Sequence, residues 1–567
     1  MRERRALTCL LASVGLVAGL LGGCTSDDTG EPGALVSRRA AAPPPTPVER
    51  LGLVPGWGPT PAELEEAAGF VEDLGVRDLA GQVIVARWHG TRAPTGLVRR
   101  LHLGGVIAFS DNVTSTNQIR QVNAALRRAG DRPWPLFLAV DQEGGAVERV
   151  KGTATRFPAF MSAGAARDEA LTQAAYAASG AELRGLGFNV DLGPDADVTV
   201  GRADPTIGAR SAGSDPALVA AQTAAAARGF VAGGIVPVLK HFPGHGSVLA
   251  DSHRTLPVQE RSMAKLRSTD LVPFADAVRS GTSAIMVGHL DVRAVDPRVP
   301  SSLSHQVVDG LLRDELGFDG LAVTDALDMA GVRAGRSPAE IAVRALRAGN
   351  DVLLMPSDPA AARAGIVRAV REERLPLDRL KQAAARQIAL LLHHRATAAR
   401  GAKPGSGATA SRALSAAAVT SVAGPCGGPL LAGAVVPVGS PVAVANFRTA
   451  ARQAGLALGR ITYEKPPKPP KRKKKKLRRW RRLEPTPVYH GTPMAFTGYR
   501  GAASSAPIVI ATDAPYVLGQ VSAGVRIATY GETPGAMSAL VDVLLGKAPA
   551  TGRLPVVVPG APRRGCQ

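Results

Sequence analysis

The chain has 567 residues, 45% of them hydrophobic, and a formal charge of +21. That length predicts two or three domains, with enough apolar residues to bury sizeable cores. The charge does not describe a nucleic-acid-binding surface spread over the protein. Residues 465–482 hold twelve Lys or Arg and no acid, and the remainder carries 56 basic against 47 acidic residues.

Residues 1–23 read as a lipoprotein signal peptide. Arg2, Arg4 and Arg5 form a basic start, and Ala6 to Leu21 an apolar run too short for a comfortable membrane span. The run closes on "LGGC", which resembles the bacterial lipobox and implies lipidation at Cys24. The expected location is the cell membrane, lipid-anchored on its extracytoplasmic face, with no nucleic-acid partner. Residues 24–60, with "AAAPPPTPVER", are expected to be a disordered tether. In an exported chain Cys426 and Cys566 either pair as a disulfide or remain thiols, and the sequence leaves that open.

From 61 to 398, short apolar runs alternate with helix-like segments. The runs are "GQVIVARW", "LGGVIAFS", "PLFLAVDQ", "FNVDLGPDADV", "VPVLKHF", "SAIMVGHLD", "GLAVTDALDM" and "DVLLMPSD". Each is apolar and then closes on polar or charged residues. That pattern predicts an α/β fold, a (β/α)8 TIM barrel whose strands are buried on both faces and carry function at their C-terminal ends. Residues 399–412 ("GAKPGSGATASR" from 401) are expected to be a linker. Residues 413–567 then predict a smaller α/β sandwich domain, interrupted at about 464–485 by a disordered basic insertion. With Trp480 set among arginines, that insertion has anionic envelope polymers or lipids as its expected partners.

The strand ends gather Asp141, Arg210, Lys240, His241, His289 and Asp325. The loop after the fifth run adds His245, Asp251 and His253. A metal centre is disfavoured, because Pro243 and the glycines prevent any helical register among the histidines and Lys240 would repel a cation. No cofactor is expected. Glycoside hydrolysis suits the set: its oxocarbenium-like transition state needs a carboxylate facing the anomeric carbon and an acid for the leaving oxygen. Asp325 closes a buried strand, and Asp251 can orient His253 and stabilise its protonated form.

"VDQEGG", "VER", "KHFPGHG", "DSH" and "VTDALDM" together resemble glycoside hydrolase family 3, within it the bacterial β-N-acetylglucosaminidase branch. The resemblance is good over about 60–395 and weaker to the end, where it implies the family's α/β sandwich domain. It implies an exported β-N-acetylhexosaminidase that removes terminal β-N-acetylglucosamine from peptidoglycan fragments or chitooligosaccharides with retention of configuration. Carried over residue by residue, Asp325 is the nucleophile, His253 the acid/base and Asp251 its orienting partner. Asp141, Arg149, Arg210, Lys240, His241 and His289 are expected to bind the sugar, and Asp328 to lie behind the site or on the surface. The chain departs from the family in having Ala326 after the nucleophile and Ala212 after "RS". Phosphorolysis and non-catalytic binding of wall sugars remain open alternatives.

Overall fold

The computed structural model describes residues 44–562 apart from 426–427, 432, 465–484, 499–500 and 502. The signal peptide, Cys24, most of the tether, both Cys426 and Cys566 and the basic run 465–482 therefore lie outside the described residues.

All eight apolar runs form strands. They are β1 (Ile84–Arg87), β2 (Gly105–Ala108), β3 (Phe137–Val140), β4 (Val190–Asp191), β5 (Val236–Pro237 and Leu239–Phe242), β6 (Ala284–Val287), β7 (Leu321–Thr324) and β8 (Leu353–Leu354). Their residues are buried almost throughout because helices cover the outer face and side chains of the barrel interior fill the inner one. One parallel sheet runs β8-β1-β2-β3-β4 to the first half of β5, and a second runs β7-β6 to its second half. Parallel bridges between Asp195 and Lys240, and between Val323 and Val352, join the two into a closed barrel. The first and last helices of the barrel also meet. Pro61–Asp73, capped by Thr60 and Glu63, packs on Leu377–Thr397, and His393 lies 3.0 Å from Glu63.

Two expected boundaries differ from the structure. The tether region contains a helical turn, Pro47–Arg50, and Leu51, Leu53 and Trp57 are buried in the barrel core. Three large apolar side chains offset the entropy of ordering a Pro- and Gly-rich segment. The linker region is packed as well: the helix Ala408–Ala418 starts inside it, and the Gly407 N–H donates to Glu182 at 2.8 Å. Alanine-rich "ATASRALSAAA" carries the helix propensity that the preceding glycines conceal.

The second α/β domain is built on a five-stranded sheet in which Val435–Gly439, Thr492–Thr497, Ile508–Ala511 and Val525–Ala528 run parallel. Thr420–Ala423 pairs antiparallel at its edge. Arg460–Glu464 and Thr486–His490 form a separate antiparallel pair. Barrel and second domain share a core in which Ala159, Met161 and Ala165 meet Tyr516, Leu518, Tyr530 and Leu554. The Ala159 N–H donates to the Tyr530 carbonyl at 2.9 Å. Among the described residues, no helix is long and apolar enough to cross a membrane.

Candidate active site

A cavity of about 400 Å³ opens at the C-terminal ends of the barrel strands. Its lining brings together Asp141, Arg149, Arg210, Lys240, His241, His253 and Asp325 from six different segments. Asp141 and Asp325 directly follow β3 and β7, Lys240 and His241 lie in the second half of β5, and the loops beyond the strand ends bring Arg149, Arg210 and His253 to the same rim.

Asp325 immediately follows β7. Its Oδ1 accepts the Ala326 N–H at 2.7 Å. Burial alone would raise its carboxyl, but the imidazoles of His241 and His289 and that N–H outweigh it and hold the pKa at about 2. Asp325 is therefore ionised at any neutral working pH. His253 stands at the cavity mouth with its side chain 64% exposed. Asp251 accepts from the His253 ring Nδ1 at 2.8 Å and from its backbone N–H at 3.0 Å. Burial would raise the Asp251 carboxyl, yet these two bonds keep it below the usual carboxylate range. With Nδ1 engaged, Nε2 is the nitrogen left to meet a substrate oxygen.

The opposite wall is an ionic lattice. Lys240 Nζ reaches Asp141 at 2.9 Å and Glu143 at 2.5 Å. Arg210 donates two parallel bonds to Glu143, at 2.8 and 2.9 Å. Burial would push Glu143 up, but Arg210 and Lys240 hold it far below its ordinary value. Arg149 lies 3.7 Å from Asp141 and stacks over Phe109, whose ring also carries Arg87. Charged groups held this way offer directional, charge-assisted bonds to hydroxyls.

Asp197 fixes the imidazole of His241. Its Oδ2 lies 2.7 Å from His241 Nδ1, so the other ring nitrogen, Nε2, turns toward Arg210 at 3.5 Å. Asp195, Asp197 and His241 lie close enough together to hold a cation. However, Asp197 is committed to His241 and to the His245 N–H, and Arg210 lies 3.5 Å from Asp195. Burial and the neighbouring Asp197 push the Asp195 carboxyl well above the usual range, so two of the three ligand positions are either committed or poorly charged for a cation.

Two positions differ from expectation. His289 does not line the cavity. It is fully buried behind Asp325, with Nε2 3.0 Å from the Ala326 carbonyl and Nδ1 2.7 Å from Ser302 Oγ. Both ring nitrogens are used, so it supports the turn after β7 and leaves no atom for a sugar. Asp328, in contrast, does line the cavity, and burial raises its carboxyl. A tight turn after β7 brings positions 325 and 328 to the same side. Sequence reasoning also passed over Glu143, although it stands inside "VDQEGG", and Asp197, although "DLGPDADV" places three acids after a strand. A run of acids beside a basic strand end was the available signal.

Comparison with known proteins agrees with this geometry. Residues 76–390 match the family model described as Glycosyl hydrolase family 3 N terminal domain. The chain is 37% identical over 279 residues to Beta-hexosaminidase A of Pseudoalteromonas piscicida, covering 46% of this chain and 47% of that protein. It is 39% identical over 259 residues to Beta-hexosaminidase of Xylella fastidiosa, covering 45% of this chain and 76% of that one. The solved family 3 β-N-acetylglucosaminidase of a Paenibacillus species superposes with a TM-score of 0.73 at 28% identity, over 86% of this chain and 99% of its own.

Proposed function

The chain belongs to glycosyl hydrolase family 3, and from that premise we propose that it is a retaining β-N-acetylhexosaminidase acting on glycans with a terminal N-acetylglucosamine. The observation that carries the reading is a single cavity holding an ionised carboxylate, Asp325, together with an imidazole paired to its own carboxylate, His253 with Asp251. A pure sugar binder has no use for that set.

The steps follow from the groups. Asp141, Arg149, Arg210, Lys240 and His241 hold the sugar ring by its hydroxyls. An Asp325 oxygen attacks the anomeric carbon and forms the C–O bond as the bond to the leaving oxygen breaks. His253 gives its Nε2 proton to that oxygen, while Asp251 holds Nδ1–H and so keeps Nε2 turned toward it. In the second half a water loses its proton to His253 and attacks the same carbon, releasing Asp325. The exposure of His253 suits a group that serves departing alcohol and arriving water in turn.

The natural substrates of this reading are peptidoglycan fragments or chitooligosaccharides. In this reading the lipobox-like stretch ending at Cys24 supports an enzyme lipid-anchored on the outer face of the cell membrane, and the basic composition of 465–482 supports attraction to anionic envelope polymers or lipids. Incubating the full chain with an aryl β-N-acetylglucosaminide, with and without phosphate, tests the activity. Free N-acetylglucosamine at an unchanged rate is expected. Sugar 1-phosphate formed at a phosphate-dependent rate would make it a phosphorylase, and release of neither would refute the catalytic reading.

A further inference from the structure

The reaction leaves one imidazole of the cavity lining without a role. His245 is 1% exposed, and its Nδ1 has no hydrogen-bond partner among the described residues. Keeping an imidazole nitrogen dry and unpaired is costly, so an interaction on its other side must hold the ring in place. That interaction is with Ser252: Nε2 and Oγ are 2.9 Å apart.

Ser252 is the residue between Asp251 and His253. It is 2% exposed, while His253 stands out in solvent. The middle of the proton-transfer triplet is therefore its only buried member. A second bond pins it, as the Gly331 N–H donates to the Ser252 carbonyl at 3.1 Å. A Cβ on Gly331 would come within 2.9 Å of that carbonyl oxygen, so only glycine admits this approach. Gly331 follows the turn that carries Asp325, which refers the dyad loop to the nucleophile.

His245 in turn is seated on the sugar clamp. Its backbone N–H donates to Asp197 Oδ1 at 2.5 Å, and the other oxygen of Asp197 orients His241. The preceding Gly244, at φ +118°, brings the chain back beneath β5 with no room for a Cβ against Asp270. A continuous path of bonds thus runs from His241 through Asp197 and His245 to Ser252. Burial keeps the His245 imidazole at about 4, so it stays neutral while the dyad works.

We propose that His245 is a positioning residue for proton transfer, and that its bond to Ser252 latches the Asp251–His253 loop in register with the sugar clamp. The inference rests on the hydrolase reading above. The geometry explains why a loop whose active side chain is exposed nevertheless presents Nε2 at a defined place. A general acid acts only within hydrogen-bond reach of the leaving oxygen, so a loosened loop loses acid catalysis first.

The test uses the full chain, with His245→Leu and Ser252→Ala breaking the latch and His245→Gln keeping a donor beside Ser252. Turnover is measured on N,N′-diacetylchitobiose, whose leaving alcohol needs a proton, and on 4-nitrophenyl β-N-acetylglucosaminide, whose leaving phenolate scarcely does. Breaking the latch should lower the ratio of the two kcat/KM values, which report only the acid-assisted first step, at least about tenfold, a part of the roughly 10²- to 10⁴-fold that a positioned acid contributes. His245→Gln should restore most of that ratio. In a His253→Ala background, Ser252→Ala should change the ratio by less than about twofold, because there is no acid left to misplace. Amide exchange over residues 250–256 should quicken in both latch variants, a readout that needs no turnover. Equal losses on both substrates, or an undiminished Ser252→Ala effect without His253, would overturn the latch while leaving the hydrolase intact. A parent protein that cleaves neither substrate would remove the activity reading and this inference with it.

Discussion

The ionic lattice on the clamp wall makes a quantitative prediction for Arg210→Met. The substitution keeps much of the side-chain volume and removes only the guanidinium. It deletes two charge-assisted bonds to Glu143, at 2.8 and 2.9 Å, and the contact with Asp195 at 3.5 Å. Breaking a buried pair from one side costs about 3–5 kcal/mol, because the remaining charge has lost its partner. Lys240 still reaches Glu143 at 2.5 Å, which points to the lower end, about 3 kcal/mol. The sign with pH follows. In the parent, Glu143 is held below its unfolded value, so its contribution is present above about pH 4.3 and is lost as the pH falls through the folded value. Without Arg210 the folded value moves up toward the ordinary range, and that contribution shrinks. The stability gap between parent and variant should therefore be widest at pH 7 and narrower at pH 4. Urea unfolding at both pH values measures it. Adding Glu143→Gln to Arg210→Met should recover at least about 1 kcal/mol of the loss at pH 7, since no orphan charge then remains. A gap below about 1 kcal/mol, as for an exposed pair, or one unchanged between pH 7 and pH 4, would refute the account of this wall.

Asp325→Asn should keep the native melting curve and lose activity by about 10⁴-fold or more, because the amide cannot form the glycosyl bond. His253→Ala should lower kcat/KM for unactivated glycosides by about 10²- to 10⁴-fold and that for 4-nitrophenyl glycosides far less, with Asp251→Ala a milder version of the same pattern. Acid should destabilise the fold through two histidines that burial holds at about 4, His245 and His394. The unfolded chain binds these protons from about pH 6.5 and the native chain does not. Stability therefore falls between pH 6.5 and about 4, by on the order of 3 kcal/mol per histidine. His394→Gln, which keeps a donor for the Gly234 carbonyl, should flatten that slope in denaturant titrations. Deleting residues 465–482 should leave turnover of small aryl glycosides unchanged while weakening binding of the unlipidated protein to anionic vesicles, with the difference fading at high salt.

The barrel was legible in the sequence because its strands are covered on both sides, and nothing but a run of Val, Ile, Leu and Ala fits such a place. The position of Asp325 followed with equal directness, since a polar residue just past such a run must emerge at the rim, and Lys240 and His241 stand out as charged or polar residues inside the otherwise apolar fifth run. Depth was what the sequence concealed. His289 lies just past β6 as Asp325 lies just past β7, yet Ser302 and the Ala326 carbonyl take both of its nitrogens, and those partners lie 13 and 37 residues away. Glu143 looked like a spacer inside a motif until Arg210, 67 residues on, closed around it. Leu51, Leu53 and Trp57 were hidden by their Pro and Gly neighbours, because local composition carries no record of the helices that receive them. Residues whose role is set by the strand they terminate can be read in sequence. Those whose role is set by a distant partner cannot.

If Asp325 forms a covalent bond to the sugar, the configuration of the first product must show it. Following cleavage of an aryl β-N-acetylglucosaminide by proton NMR, faster than the anomers interconvert, reads the outcome in one experiment. Two successive displacements at the same carbon predict that β-N-acetylglucosamine appears first and the α anomer only later, by mutarotation. The α anomer as first product would mean that water attacks directly and that Asp325 is not the nucleophile.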